Sequence, residues 1–229
     1  MNNVKDFFQA ILDWSEIWAL LIPLIVLRTR QNQPLYLKPV IVYLWLALII
    51  NSVIDILAQY NLGKSEEDQV GNNVYYNIHS IVRFACFSYF FISLGQPYFS
   101  KLKKMLPVIS LLFIIIIFGF VDKFFNKDAL SGNLLSTEAY MLLIYCLLYY
   151  LSELRDEIEI FRSEKPFWVV TGLSIYVVIN FFVFLFYNPL LNIGKINFAI
   201  QIWNVHNIAY IIFTIFITKA FYVSNPDRK

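Results

Sequence analysis

The two histidines of this chain occur in near-identical settings. His79 lies in Tyr76-Asn77-Ile78-His79-Ser80-Ile81 and His206 in Trp203-Asn204-Val205-His206-Asn207-Ile208, 127 residues later. Each string reads aromatic, Asn, aliphatic, His, polar, Ile, and each is set inside a hydrophobic run. An imidazole can ligate a metal, exchange a proton near neutral pH or hydrogen-bond a polar molecule. Titratable groups are expensive in hydrocarbon, so within membrane-spanning segments they mark functional sites by default. A duplicated pair points to one site at the junction of two halves.

Other polar residues of the apolar runs fall on helical stripes with these histidines. Tyr76, His79 and Arg83 share one stripe, and Trp203, His206, Asn207 and Tyr210 share another. Asn51 and Asp55 form a third, one turn apart; Tyr176, Asn180 and Tyr187 form a fourth. Asp13 and Glu16 interrupt the first run, while Glu138, Tyr145 and Tyr149 fall along the fifth. An arginine cannot shed its proton, so Arg83 is predicted to pair with Asp55, Glu16 or Asp13. With Asn77 and Asn204, these side chains are expected to line a polar, aromatic-rimmed cavity for a small polar or anionic ligand.

No catalytic residue is assigned and no cofactor is expected. One alternative is a zinc site in which His79 and His206 join Asp13, Glu16, Asp55 or Glu138 in a His₂–carboxylate set open to water. Against it, no HExxH or HxxxH spacing occurs, and Arg83, one turn from His79, would repel a cation. No Ser/His nucleophile elbow is present.

The elements that must position these residues are set by composition. Of the 229 residues, 59% are hydrophobic and 15% charged, with a mean hydropathy of +0.61. Soluble domains average roughly 25% charged residues. A helix needs about 20 mostly apolar residues to cross a bilayer, and seven such runs are predicted: 8–27, 39–60, 74–95, 105–121, 139–154, 167–188 and 198–222. The predicted fold class is therefore all-α: a single polytopic membrane domain over 1–229 whose main partner is the lipid bilayer. The first run reads as an anchor rather than a cleavable leader, because Asp13 and Glu16 break its start and Arg28 and Arg30 close it. Cys86 and Cys146 lie inside apolar runs and read as packing residues. A net charge of +2 without a basic run argues against nucleic acid.

Basic residues set the orientation. Arg28, Arg30, Lys38, Lys101, Lys103, Lys104, Arg155, Arg162, Lys165, Lys219, Arg228 and Lys229 fall on one side; only Lys5, Lys64, Lys123, Lys127 and Lys195 fall on the other. The expected arrangement is an inner-membrane protein with its N-terminus outside and its C-terminus cytoplasmic. The loop Lys64-Ser65-Glu66-Glu67-Asp68 and the mixed-charge stretch 153–165 read as solvated faces, and the cytoplasmic half reads as almost purely apolar.

The two strings extend to a predicted parallel repeat, with 8–95 and 139–222 as three-helix units and 105–121 as linker. Asn51 then matches Asn180, Asp13 matches Glu138, and the Asn/His pairs match each other. This 3+1+3 layout resembles the SWEET-type sugar carriers in topology alone. Those carriers hinge at prolines; here Pro23 lies in the first run and the fifth and sixth contain none. The resemblance to microbial rhodopsins stops at the missing mid-membrane lysine, since Lys219 sits at the end of the seventh run. The strings Phe167-Trp168, Gly172, Ile175-Tyr176, Asn180 and Trp203 to Ile208 are similar to those of small uncharacterised bacterial seven-helix proteins, a resemblance that implies no activity. The function expected is receptor-like or sensory, read out through a membrane or cytoplasmic signalling partner. The alternatives are a small-solute transporter and an intramembrane metal-dependent hydrolase.

Overall fold

A computed structural model of the chain describes residues 2–65, 68, 70–117, 130–155 and 165–223, with side chains from Phe7 onward. Secondary structure among them is entirely helical. Eight α-helices follow in order: α1 (Asn2–Asp13), α2 (Ser15–Thr29), α3 (Lys38–Asn61), α4 (Asn73–Ser93), α5 (Ser100–Ile116), α6 (Gly132–Arg155), α7 (Lys165–Asn192) and α8 (Ile196–Tyr222). A short 3₁₀ turn, Leu35–Leu37, leads into α3.

The run expected to start as one span at residue 8 is two helices, bent by 63° between Asp13 and Ser15. Trp14 has φ −91° and ψ 6°, the sparsely populated bridge conformation that interrupts a helical ladder. The reason is visible in the pattern. The α1 sequence alternates Phe7, Phe8 and Ile11 with Gln9 and Asp13, an amphipathic surface helix, whereas α2 is apolar nearly all round. Phe7, Phe8, Ile11 and Trp14 are accordingly exposed.

Among the described residues four elements are long and apolar enough to cross a membrane: α3 with its leading turn, α6, α7 and α8; counting the bent α1–α2 pair as one span makes five. The α4 helix has the length, at 21 residues, but Asn77, His79, Ser80 and Arg83 dilute its apolar character. The α5 helix is described over 17 residues only, and the rest of the predicted 105–121 run lies outside the described residues. The fifth predicted run, short at 139–154, is extended by α6 at its start, and the sixth is extended by α7, which takes in Pro189 just past the expected end.

The helices close into a ring. The neighbour pairs are α2 with α3, α3 with α4, α4 with α6, α6 with α7, α7 with α8, and α8 back onto α2; α5 packs outside, against α4 and α6. The ring interior is aromatic: Phe213 meets Tyr43, Phe87, Tyr176 and Tyr210 with centroid separations of 5.2–6.4 Å. Burying such rings is the main apolar gain of the core. On the outer surface Val42, Trp45, Ile49, Leu111, Leu112, Ile115, Phe182 and Phe186 are exposed. A soluble protein rarely leaves an apolar surface of that extent open, and hydrocarbon solvates it, as expected of a membrane protein. Cys86 and Cys146 are both free.

Candidate functional site

Polar residues from α2, α4, α6, α7 and α8 converge in the half of the ring that carries the two histidine strings. Arg83 on α4 meets Glu138 on α6 in a bidentate pair: Nε donates to Oε1 at 2.8 Å and Nη2 to Oε2 at 2.5 Å. Its Nη1 donates to the Tyr176 hydroxyl at 2.7 Å, and the Ser80 hydroxyl donates to Glu138 Oε2 at 3.1 Å. Arginine and carboxylate are both 4% exposed, so each needs the other: an unpaired buried charge is far more costly than the pair.

This corrects the expected partner. Asp55 is half-buried on α3, Asp13 is exposed and bonded by Gln9 at 2.8 Å, and Glu16 is engaged elsewhere. Because α4 packs on α6 rather than across the ring, Glu138 is the carboxylate within reach.

Glu16 on α2 faces His206 on α8, with Oε1 3.0 Å from Nε2. The other imidazole nitrogen, Nδ1, lies 2.5 Å from Asn180 Oδ1 on α7, and the Asn180 amide donates to the Tyr176 carbonyl at 2.8 Å. His79 is buried and stacks on Tyr43, 5.8 Å between centroids at 18°. Its Nε2 is buried without a hydrogen-bond partner among the described residues. The Tyr43 and Tyr210 hydroxyls likewise have none among the described residues, although they lie close to each other and Tyr43 lies close to Arg83. Buried polar groups are normally satisfied, so such exceptions ask for an explanation.

The two histidines share one void. Glu16, Tyr76, His79, Arg83, Tyr176, Trp203, His206 and Tyr210 line it, with Leu135 and Phe184 completing the wall. The void is narrow, with free room of about 10 Å³, enough for a single water. Aromatic rings crowd one end: Trp203 meets Tyr76 at 5.5 Å and Tyr187 at 5.0 Å between centroids.

Eight of the sixteen predicted site residues thus line the void, and Glu138 and Asn180 hold it from behind. The four remaining asparagines do different work, each gripping backbone or an amide of a neighbouring helix. Asn51 donates to the Glu16 carbonyl at 3.0 Å, and Asn77 accepts from the Ser131 amide at the start of α6 at 3.2 Å. Asn207 donates to the Leu12 carbonyl at 3.1 Å. Asn204 and Gln9 form a reciprocal amide pair at 2.9 and 3.0 Å. Asp13 and Asp55 are not among the lining residues. Tyr43, Ser80, Phe184 and Gln9 were missed. Tyr43 was findable, since it lies two turns before Asn51 on the same face.

The amide pair ties α1 to α8. Replacing Gln9 by Ala is expected to cost about 1 kcal/mol, and a Gln9→Ala/Asn204→Ala cycle to give a coupling of about 0.5 kcal/mol or more. Limited proteolysis of the N-terminal helix beside thermal unfolding is the check, and additive effects would exclude the link.

The opposite end is more polar than the sequence implied. Glu153, Lys103 and Lys165, expected in solvent, are buried. Lys165 Nζ donates to Gln33 Oε1 at 3.0 Å, and Gln33 donates to the Phe221 carbonyl at 3.2 Å. Lys103 donates to Gln96 Oε1 at 2.5 Å, and Gln96 in turn donates to Glu153. Residues 156–164 of the mixed-charge stretch, and Glu66 and Glu67 of the acidic loop, lie outside the described residues.

The zinc alternative has no donor set: among the described residues no three His, Cys, Asp or Glu side chains converge as metal ligands would. Fold and site together define a helical bundle with membrane-spanning capacity and a buried ionic core. No protein-family model matches the chain, and neither a curated protein nor a solved structure matches it.

Proposed function

We propose that the chain is a receptor-like protein of the cell's inner membrane that binds a small polar molecule in the void between α2, α4, α7 and α8. In this reading it crosses seven times, N-terminus outside and C-terminus cytoplasmic, with α1–α2, α3, α4, α5, α6, α7 and α8 as the spans. The asymmetry of Lys and Arg supports that orientation.

A parallel repeat is supported by how the halves interlock. The acid of each half's first span meets the base of the other half's last span: Glu16 with His206, and Glu138 with Arg83. Asn204 grips α1 as Asn77 grips the start of α6. The better match to Glu138 is therefore Glu16, not Asp13.

The observation that carries the binding reading is the His79 Nε2 atom, buried at the void without a partner among the described residues. The ligand is polar rather than anionic, because the Arg83 charge is already balanced by Glu138. Occupancy would bias the packing of α2 and α8 against α4 and α7, a change that a membrane or cytoplasmic partner could read.

The test is thermal unfolding of the detergent-purified chain with ammonium and formamide as probes and inorganic phosphate as the anionic control. A binding probe at a hundredfold its Kd stabilises by about 2.7 kcal/mol. At least one neutral or cationic probe is expected to stabilise the wild type and not His79→Phe, which fills the void. No difference between the two proteins would sink the reading. Uptake of the same probe into proteoliposomes would make the chain a carrier instead.

A further inference from the structure

The Glu16–His206 contact fixes a proton count. Asn180 Nδ2 donates to the Tyr176 carbonyl at 2.8 Å, so the atom facing His206 Nδ1 at 2.5 Å is the amide oxygen. An amide oxygen only accepts; Nδ1 therefore carries a hydrogen. Nε2 and Glu16 Oε1 are 3.0 Å apart, and two lone pairs held at that distance away from water repel. A hydrogen must lie between them. Either imidazolium donates to carboxylate, or the carboxylic acid donates to neutral imidazole. Both have the same composition: one dissociable proton and no net charge.

We infer that Glu16 and His206 form a one-proton binding site, and that the proton is a ligand of the receptor-like site proposed above, on whose reading this rests. On release, the N–H or O–H bond breaks, its electron pair stays with the Glu16–His206 pair, and the proton passes to water as hydronium. Glu16 is left anionic against the bare Nε2 lone pair, and the α2–α8 contact changes from attractive to repulsive.

Titratable groups surround the pair on several helices. On α4, His79 and Arg83 line the same void, with Tyr76 beside them; Arg83 is balanced by Glu138 of α6. Tyr176 faces His206 from α7 and Tyr210 lies beside it on α8, while Tyr187 of α7 packs on Trp203 and Tyr43 of α3 lies beside Tyr210. Asp55 of α3 is within coulombic reach of Glu16 and of Asp13 on α1. Among the described residues, His206 is the cationic partner within ion-pair distance of Glu16, and Arg83 is held by Glu138.

The experiment is thermal unfolding of the full chain in micelles from pH 5 to 9, wild type beside Glu16→Gln. The glutamine amide donates to Nε2 without a titratable proton. In the unfolded chain Glu16 is ionised and His206 is neutral above about pH 6.5. Folding then takes up one proton, and stability falls with rising pH wherever the folded state binds more protons. The wild-type unfolding equilibrium is expected to shift by up to tenfold per pH unit more than that of the variant above about pH 6.5. Between about pH 4.3 and 6.5 both states hold one proton on this pair, and its contribution is flat.

Coincident slopes between pH 7 and 8 would overturn the inference. Should Glu16→Gln not fold, ¹⁵N-histidine NMR of the wild type at pH 7.5 decides. A hydrogen-bonded Nε2 on His206 is expected, and a bare one overturns the proposal. Failure of the probes to stabilise the protein would remove the small-molecule reading while leaving the proton slope intact.

Discussion

Glu138→Ala is expected to lower the unfolding free energy by about 3–5 kcal/mol, the usual consequence of stranding one member of a buried ion pair. Arg83 would keep its charge and lose both of its carboxylate contacts, at 2.8 and 2.5 Å, retaining only the Tyr176 hydroxyl. Hydrocarbon outside the ring offers no substitute. The companion variant separates charge from shape: Arg83→Met/Glu138→Leu removes both ions together and is expected to recover most of the loss, because apolar replacement of a buried pair is often neutral. The Ser80 and Tyr176 hydroxyls would still lose a partner, so recovery stays incomplete. Denaturant or thermal unfolding in micelles reads both. A single variant within 1 kcal/mol of wild type would mean that the pair carries no weight.

Gly172→Leu is expected to be nearly as damaging, at about 3 kcal/mol, the upper part of the usual range for overpacking. A Cβ at residue 172 would collide with the Phe216 Cβ, while lying 3.1 Å from Phe216 Cγ and 3.4 Å from the Phe213 carbonyl. The glycine is thus a contact point that lets α7 and α8 approach, not a hinge. Alanine gains about 1 kcal/mol of helix propensity over glycine, so Gly172→Ala should be milder than leucine. Adding Phe216→Gly, which removes the colliding Cβ, to Gly172→Leu should restore part of the loss. If it restores none, the collision is not the cause.

Much of this was legible in the chain. Two strings 127 residues apart announced that two histidines belong together, because the setting of each, polar flanks in an apolar run, demanded an internal partner. Helical spacing then put Tyr76, His79 and Arg83 on one face correctly, since a stripe depends only on the pitch of a single helix. Which helix faces that stripe is a matter of ring order, and one chain carries no signal for it; hence Arg83 was paired with the wrong carboxylates. The asparagines misled for another reason. An Asn amide satisfies a loose backbone group as well as it satisfies a ligand, so Asn51, Asn77, Asn204 and Asn207 looked like site residues while acting as clasps. The break at Trp14 was half visible: Asp13 and Glu16 marked a discontinuity, but the 63° turn depends on α1 finding a polar edge of α8 to lie against. The buried lysines near Gln33 and Gln96 were hidden because helix ends rich in charge ordinarily meet water.

The crossed pairing of Glu16 with His206 and of Arg83 with Glu138 has a consequence for biosynthesis. As the chain emerges, α2 and α4 carry an acid and a base whose proper partners have not yet been translated. The early portion must therefore wait, its ionisable groups tolerated at a water-lined boundary, until α6 and then α8 arrive to neutralise them. Commitment to the closed ring comes only with the final helix, so truncation before residue 206 would leave Glu16 without its imidazole while Arg83 is already held by Glu138.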